Sequence, residues 1–267
     1  MPSSVLPEDA GRVGEKENGD GDEARYRALL WWFKADFFRW TDSPICEVCA
    51  VKTTDMEGML DPNEEELLHG AGRVEAWRCK GCNVVLRFPR YNDPARLLET
   101  RHGRCGEWAN CFTLCAAAVG YETRLVVDWT DHVWTEVRLG DRWMHSDACE
   151  GCLGSPLLYE TGWGKKLSYI IAFSPWEVVD VTPRYSGNWP ALMERRNLIS
   201  EEQLAELVEA LDQQVRAEPS RTVAAEVAVM ARGSGTVAPT WRAAEEDELA
   251  GRRCAAPGGV ASEGELG

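Results

Sequence analysis

The sequence predicts an α+β fold in which a cysteine-bearing helix packs on an antiparallel sheet. The first observation behind this fold class is a run of apolar residues at helical spacing over 105–119. The second is a change to alternating, β-rich segments over 123–147, where Gly140 and Asp141 form the turn between the last two strands. Together the two patterns predict one helix followed along the chain by a sheet of at least three strands.

Helical patterns predict further helices around this unit. The apolar stripe of Ala24–Trp40 is so wide that this helix must be buried on most sides. Asp61 and Asp93, each followed by proline, begin two short helices. Ser200 caps a C-terminal helix over 200–217, in which leucines recur at helical spacing. The remaining strands are predicted at 169–173 and 178–181.

Composition and charge exclude two classes of function. The 267 residues include 44 Asp+Glu against 29 Lys+Arg, a formal net charge of −15. Phosphate contacts need a basic surface, so we expect no nucleic-acid partner. No apolar run approaches the ~20 residues of a membrane span, so we expect no membrane insertion. The acidic, Gly-rich segment 1–23 lacks the apolar region of a signal peptide, which predicts a cytoplasmic protein with reduced cysteines.

Two Cys-x-x-Cys motifs predict a metal site. Cys46 and Cys49 form the first motif, and Cys79 and Cys82 form the second. Two such turns can bring four thiolates into the tetrahedral arrangement that zinc prefers. Four thiolates close the coordination shell and leave no position for water, so the motifs predict one structural Zn²⁺. The alternatives are four unrelated reduced cysteines or a redox Cys-x-x-Cys pair.

Cys105 is the candidate nucleophile. It stands between Gly103 and Gly106, and glycines there let the backbone turn sharply and let a substrate approach closely. The predicted helix begins at this residue, so its N-terminal dipole favours the thiolate. The free N–H groups of the helix start are suited to hold an oxyanion. A buried structural cysteine is the competing interpretation.

A histidine and an aspartate on the predicted strands complete the candidate site. Alternation places His132 at the start of one strand, on the face that also carries Glu136. In the next strand His145 and Asp147 share a face. A hairpin would set Asp147 beside His132, where it would fix the tautomer and stabilise the imidazolium. His145 remains a competitor for the role of base, and Asp128 is a weaker alternative for the acid.

Several longer stretches resemble one enzyme family. They are WWFKADFFRW (31–40), the two Cys-x-x-Cys motifs, the segment 78–115 that ends in GRCGEWANCFTLC, DWTDHVWTEV (128–137), RWMHSDACEG (142–151) and LLYETGWGKKLSYIIAFS (157–174). Over about 29–189 the chain resembles the cytoplasmic peptide:N-glycanases, which are amidases of the transglutaminase-like superfamily. The run GRCGEWANCF is highly specific. The chain departs from the family pattern at Ala148, where proline is expected.

The resemblance implies a role for each candidate residue. It implies a transglutaminase-like (papain-like) cysteine hydrolase core with Cys105 as nucleophile, His132 as base and Asp147 as acid. The family's zinc ligands fall on Cys46, Cys49, Cys79 and Cys82. Its glycan and peptide contacts fall on Trp40, Glu136, Trp143 and Glu150.

The resemblance also implies an activity and partners. The activity is hydrolysis of the β-aspartylglucosaminyl bond of N-linked glycans on misfolded glycoproteins, which converts Asn to Asp. The implied partners are these substrates, ubiquitin-like proteasome shuttle proteins and a hexameric AAA segregase. A transglutaminase-like protease or cross-linking enzyme would use the same triad. An inactive zinc-binding adaptor of the degradation pathway is the non-enzyme alternative.

The expected domain organisation follows the same boundaries. We expect a disordered tail over 1–23 and a catalytic domain over 24–200 that contains a zinc-binding subdomain at 41–91. The helix over 200–217 and a low-complexity tail over 218–267 complete the chain.

Overall fold

The computed structural model describes residues 19–51, 55–217 and 241–254. Its helices are α1 (Gly19–Trp32), α2 (Glu64–Leu68), α3 (Pro94–Thr100), α4 (Cys105–Ala118), α5 (Trp189–Met193), α6 (Glu201–Ala217) and α7 (Trp241–Cys254). Its strands are β1 (Arg39–Trp40), β2 (Asp55–Leu60), β3 (Val74–Arg78), β4 (Val85–Pro89), β5 (His102–Gly103), β6 (Thr123–Asp128), β7 (His132–Leu139), β8 (Arg142–Asp147), β9 (Cys152–Leu153), β10 (Ile170–Phe173) and β11 (Val178–Asp180). Short helical turns lie at Phe33–Phe37, Leu158–Gly162 and Thr182–Tyr185. Among the helices of these described ranges, none combines the length and apolar character needed to cross a membrane.

A six-stranded sheet forms the centre of the fold, with the strand order β11-β10-β6-β7-β8-β9. All neighbouring strands in it are antiparallel. The hairpin of β7 and β8 pairs Glu136 with His145, and Gly140 closes it with a left-handed φ of 59°. The predicted α+β class is therefore confirmed. Because β7 lies in the middle of the sheet, its first residue, His132, stands at the end of a buried strand.

Helices α1 and α4 cover one face of the sheet. Their apolar side chains pack together in a buried cluster that includes Tyr26, Leu30, Phe33, Trp108, Phe112 and Val137. Each large apolar side chain of this kind stabilises the fold by about 1.5–3 kcal/mol when fully buried. A hydrogen bond of 2.8 Å between the hydroxyls of Thr113 and Thr135 joins α4 to β7. This packing holds the first residue of α4 at the same end of the sheet as the start of β7.

A second buried cluster covers the opposite face of the sheet. It contains Val126, Trp134, Tyr159, Leu167, Ile170, Ala172, Val181, Tyr185 and Leu192. The ring centroids of Trp134 and Tyr159 lie 4.4 Å apart, and those of Trp134 and Tyr185 lie 4.7 Å apart. The face that carries His132 is therefore lined by aromatic rings and largely shielded from water.

A three-stranded antiparallel sheet, β2-β3-β4, forms a separate layer that carries the cysteine motifs. Cys79 and Cys82 lie in the turn between β3 and β4. Helix α2 lies between β2 and β3, in the segment that separates the two motifs. Its cap is Asn63 rather than the predicted Asp61: Asn63 accepts from the N–H of Glu66 at 2.9 Å, and Glu66 accepts from the N–H of Asn63 at 2.8 Å.

The first helix ends earlier than the apolar stripe predicts. The prediction of a continuous helix to Trp40 is wrong at its C-terminal end: α1 ends at Trp32, a π-helical turn continues to Phe37, and Arg39–Trp40 form β1, which pairs in parallel with β5. The N–H of Arg39 donates to the carbonyl of Arg101 at 2.9 Å, and the N–H of Thr41 donates to Gly103 at 3.0 Å. These backbone bonds to a distant segment outweigh the local helical preference.

The two predicted tails lie mostly outside the described residues, at 1–18, 218–240 and 255–267. Within the predicted tails, α1 already begins at Gly19, and Trp241–Cys254 forms helix α7 instead of an unstructured segment. Ion pairs with the core stabilise α7, since Glu248 binds Arg184 at 2.8 Å and Glu245 binds the same arginine at 2.7 Å. The predicted C-terminal helix corresponds to α6.

Candidate active site and four-cysteine cluster

Cys105 is the first residue of α4, and the chain enters this helix through a tight turn. The N–H of Arg104 donates to Glu107 Oε2 at 2.9 Å, which ties the helix start to its own first turn. A Cβ on Gly103 would lie 2.4 Å from the Cβ of Glu107, so only glycine fits there. Apart from its two chain neighbours and the backbone of α4, nothing in the described residues lies within 4 Å of where a Cβ on Gly106 would be. Gly103 therefore permits the turn, and Gly106 leaves space for a ligand beside the thiol.

His132 lies between Cys105 and Asp147. Its Nε2 atom is 2.8 Å from Asp147 Oδ2. Cys105 interacts with the same imidazole, and Nδ1 is the ring nitrogen that remains for the thiol. Burial lowers the pKa of His132, but the hydrogen bonds with Asp147 and Cys105 outweigh burial and raise the pKa to about 9. The imidazole is therefore protonated at neutral pH and can form an ion pair with a thiolate.

Four donors surround the carboxylate of Asp147. Oδ1 accepts from the N–H groups of Cys149 at 2.8 Å and Glu150 at 3.2 Å. Oδ2 accepts from His132 Nε2 and from the Tyr159 hydroxyl, both at 2.8 Å. Burial raises the pKa of Asp147, but the bond to His132 and its charge reverse this effect and hold the pKa below its usual value. The aspartate is therefore ionised and oriented, as a group that fixes the tautomer of His132 must be.

The two alternative residues occupy other positions. Asp128 accepts from the hydroxyl of Thr130 at 2.7 Å and from Lys165 Nζ at 2.8 Å. The Nε2 atom of His145 lies 2.7 Å from the Tyr159 hydroxyl, and its Nδ1 accepts from a backbone N–H at 3.3 Å. Burial lowers the pKa of His145 to about 4. Both of its nitrogens are thus engaged, and neither is left for Cys105.

An aromatic side chain that the sequence patterns did not single out lies next to His132. The ring centroids of Trp163 and His132 are 4.9 Å apart, and Trp163 is 44% exposed. The inner side of Trp163 packs on Tyr159, with ring centroids 5.1 Å apart. The available signal was the sequence Gly-Trp-Gly at 162–164, because flanking glycines leave an aromatic ring uncovered on a loop. Trp163 offers an open aromatic surface beside His132.

The four predicted substrate contacts divide into two pairs. Trp40 is 50% exposed on β1, and Glu150 is exposed three residues after Asp147, so both are available to a ligand. Glu136 is fully buried, and Trp143 is only 5% exposed. Neither of these two side chains can touch a substrate in this structure, which corrects the prediction for them.

Glu136 lies instead at the centre of a buried ion cluster. Its Oε1 accepts from Arg184 at 2.7 Å and from the Tyr185 hydroxyl at 2.6 Å, and its Oε2 accepts from Arg124 at 2.7 Å. Burial raises the pKa of Glu136, but the two arginine charges dominate and lower it to about 2. Trp143 covers the Arg124 guanidinium at 4.0 Å from its ring centroid. Both residues therefore stabilise the buried part of the sheet.

The four cysteines of the two motifs lie together. Their sulfur atoms are all within 4.8 Å of one another. The sulfurs of Cys46 and Cys82 are 3.5 Å apart, and those of Cys49 and Cys79 are 3.3 Å apart. Such spacings fit four thiolates around one ion with bonds of ~2.3 Å. The cluster can therefore hold a metal ion.

The two motifs also have the same backbone geometry. The N–H of Ala50 donates to the carbonyl of Cys46 at 2.8 Å, and the N–H of Asn83 donates to that of Cys79 at 2.9 Å. Ala50 and Asn83 close the two turns with positive φ angles of 57° and 61°. Two matched turns present thiolates alone, which is the donor set of a structural ion rather than of one that binds water.

The class of protein follows from this arrangement of helix, sheet and side chains. Residues 56–148 match the family model described as the transglutaminase-like superfamily. The matched region runs from β2 through α4 to the residue after Asp147. The chain therefore contains a domain of the transglutaminase-like superfamily.

Within that class, the chain is similar to proteins named peptide-N(4)-(N-acetyl-beta-glucosaminyl)asparagine amidase. The Mus musculus protein is 56% identical over 188 residues, which are 70% of this chain and 29% of the mouse protein. The Arabidopsis thaliana protein is 48% identical over 204 residues, which are 76% of this chain and 28% of the plant protein. The Caenorhabditis elegans protein is 48% identical over 200 residues, 74% of this chain and 33% of the worm protein. These proteins are homologues, and the chain spans about three tenths of their length.

Proposed function

We propose that this chain hydrolyses the β-aspartylglucosaminyl bond of N-linked glycans on misfolded glycoproteins and so converts glycosylated asparagine to aspartate. The observation that carries the proposal is the contact of Cys105 with His132, whose other nitrogen is held 2.8 Å from Asp147. The names of the homologues favour this substrate over the other acyl transfers that such a triad can perform.

The first half of the reaction forms a thioester. The sulfur of Cys105 attacks the carbonyl carbon of the asparagine side-chain amide, and the free N–H groups at the start of α4 stabilise the oxyanion. His132 then gives its Nδ1 proton to the departing nitrogen as the carbon–nitrogen bond breaks. The products of this half are a glycosylamine and a thioester between Cys105 and the former asparagine.

The second half hydrolyses the thioester. Neutral His132 accepts a proton from water through Nδ1, and the resulting hydroxide attacks the thioester carbon. Cys105 leaves as the thiolate, and the peptide keeps a new carboxyl group, which loses its proton to water and makes the residue an aspartate. Asp147 stays ionised throughout and stabilises the imidazolium in each half. The glycosylamine loses ammonia later in solution.

Exposed side chains around the triad supply the proposed substrate contacts. Trp163 offers its open face to the sugar next to the scissile bond, and Trp40 and Glu150 lie on the flanking segments. The linkage must reach a thiol beside a partly buried histidine, and only a flexible peptide can bend enough for that. We therefore propose misfolded rather than native glycoproteins as substrates.

The four-cysteine cluster is proposed to hold one structural Zn²⁺. The thiolate donor set and the sulfur spacing support zinc, and its chemistry there is limited to joining the two turns. The sequence has ten cysteines, and those in the described residues form no disulfide. Free thiols fit a reducing compartment, and we propose the cytoplasm. Ubiquitin-like proteasome shuttle proteins and a hexameric AAA segregase are proposed as partners on the family resemblance alone.

The test is incubation of the protein with a denatured glycoprotein, followed by mass spectrometry of the glycosylated peptide. Release of the glycan together with conversion of Asn to Asp is expected. Backbone cleavage, or attachment of a primary amine at glutamine without glycan release, would instead assign the triad to a protease or a cross-linking enzyme.

A further inference from the structure

The Oδ2 atom of Asp147 has a second donor that the proposed mechanism does not use. The hydroxyl of Tyr159 donates to it at 2.8 Å, and the side chain of Tyr159 is fully buried. The same hydroxyl oxygen lies 2.7 Å from Nε2 of His145, which is also buried. A chain of hydrogen bonds therefore runs from His145 through Tyr159 to the aspartate of the triad.

The proton positions in this chain follow from the partners of each group. An ionised carboxylate cannot donate, so the single hydroxyl proton of Tyr159 points to Asp147. The oxygen of Tyr159 then accepts the Nε2–H of His145. The Nδ1 atom of His145 accepts the N–H of Ser155 at 3.3 Å and carries no proton. His145 is thus a neutral ring with one fixed tautomer, in agreement with its lowered pKa of about 4.

We propose that Tyr159 and His145 are positioning residues of the triad. His145 fixes the position of the Tyr159 hydroxyl. Tyr159 in turn holds the carboxylate of Asp147 in the orientation in which Oδ2 accepts from Nε2 of His132. Two backbone N–H groups fix the other carboxylate oxygen, so Tyr159 supplies the contact that prevents rotation on the His132 side. This inference rests on the proposed function of the triad.

Loss of the tyrosine hydroxyl has two direct consequences. Asp147 Oδ2 keeps only His132 as a donor, and the N–H of His145 is left unpaired in a dry site. A hydrogen bond to an ionised carboxylate lowers its pKa, so its removal raises the pKa of Asp147. The other titratable groups that act on Asp147 remain in place; they are His132, His145, Cys149 and Cys152, with Lys34 and Glu150 beside the two cysteines.

The test uses Tyr159→Phe in the full chain and measures alkylation of Cys105 by iodoacetamide as a function of pH. This readout reports the thiolate–imidazolium pair and needs no glycan substrate. We expect the acid limb, which is the rise of the alkylation rate with pH, to move up by about one pH unit, because a less firmly held Asp147 supports the imidazolium–thiolate pair less well. At a fixed pH on that limb this is a tenfold loss of rate. For glycan release, kcat should fall roughly tenfold with KM unchanged.

The matched control is Tyr185→Phe. It removes a hydroxyl from another fully buried tyrosine of the same aromatic cluster, but that hydroxyl donates to Glu136 at 2.6 Å and not to Asp147. Its acid limb should stay at the wild-type position. If the acid limb of Tyr159→Phe also stayed there while both variants lost similar thermal stability, Tyr159 would be merely structural and the proposal would be overturned.

Two variants of His145 test the outer member of the hydrogen-bond chain. They also replace Tyr159→Phe as the test if that variant does not fold. His145→Gln keeps a donor near the Nε2 position and should behave almost as wild type, whereas His145→Leu should shift the acid limb as Tyr159→Phe does. Identical, unshifted profiles for both would overturn the proposal. If the wild type released no glycan, the proposed function would fail, but the alkylation profiles would still decide the positioning roles.

Discussion

Arg104 and Glu75 form a two-point ion pair, with Nη1 to Oε1 and Nη2 to Oε2 both at 2.8 Å. Arg104 directly precedes Cys105, whereas Glu75 lies in β3, the strand that leads into the cluster cysteine Cys79. Arg90 binds the same glutamate at 3.1 Å. Charged side chains therefore connect the turn that carries the proposed nucleophile with the sheet β2-β3-β4, which leads into the four-cysteine cluster.

Removal of the proposed zinc is expected to disturb Cys105 as well as the cysteine subdomain. Metal binding and folding are coupled at such sites, so a chelator should lower hydrogen-exchange protection in β3 and in the 103–105 turn together. Freshly purified protein should contain about one zinc per chain. Glu75→Gln is the matched variant, because it should keep the metal and weaken only the ion pairs of Glu75 with Arg104 and Arg90. Fully active enzyme that contains no metal would contradict a structural zinc.

Replacement of His132 should abolish nearly all turnover. His132→Ala removes the group that donates and accepts the proton in both halves of the reaction, so kcat should fall by roughly 10²–10⁴-fold. His69→Ala is the control, since His69 is bound to Asp93 at 3.0 Å and has no proposed role. Initial rates of glycan release on a denatured glycopeptide measure both variants. If the kcat of His132→Ala stayed within tenfold of the wild-type value, a residue other than His132 would be the base.

The raised pKa of His132 predicts that the folded protein loses stability as the pH rises. The pKa is raised from 6.5 to about 9, so the folded state binds the proton more tightly than the unfolded chain does. The stabilisation is complete below about pH 6.5 and disappears as the pH rises towards about 9, a loss on the order of 3 kcal/mol. Urea unfolding across this range should show the loss in the wild type and a flatter profile in His132→Gln. If the unfolding free energies of the two proteins fell in parallel across this pH range, the raised pKa would not belong to His132.

Glu136 and Glu150 should respond oppositely to truncation. Glu136→Ala leaves the buried Arg124 and Arg184 without their shared carboxylate, and breaking a buried ion pair in this way costs about 3–5 kcal/mol of unfolding free energy. Glu150→Ala removes an exposed side chain, so it should leave stability unchanged and raise KM. Thermal unfolding and steady-state kinetics on both variants separate the two effects. A Glu136→Ala protein of normal stability with a raised KM would restore Glu136 as a substrate contact.

Local patterns predicted the centre of the site because they constrain geometry strongly. The turn at Gly140 and the period of two along β7 and β8 leave few arrangements of the hairpin, and they place His132 and Asp147 on one face. The glycines around Cys105 marked the start of α4 for a similar reason. These features depend only on residues close together in the chain.

Pairings between residues far apart in the chain could not be predicted from the sequence. Arg124 binds Glu245, which is 121 residues away and lies in a segment without an apolar run. Trp40 lies in a strand rather than in a helix because its partner, Gly103, belongs to a distant segment. Likewise, the period of two along β7 correctly predicted that Glu136 lies on the same face as His132. This pattern contains no information about Arg124 and Arg184, which bind Glu136 there.

The most direct test of the central claim follows one glycosylated peptide of a heat-denatured glycoprotein in water enriched in oxygen-18. The wild type should release the glycan and leave an aspartate that carries one heavy oxygen, far faster than on the native glycoprotein. Cys254→Ala, which removes an exposed cysteine of α7, should match the wild type, and Cys105→Ala should fold but release nothing. Undiminished release by Cys105→Ala, or an unchanged glycosylated asparagine after incubation with the wild type, would contradict the account.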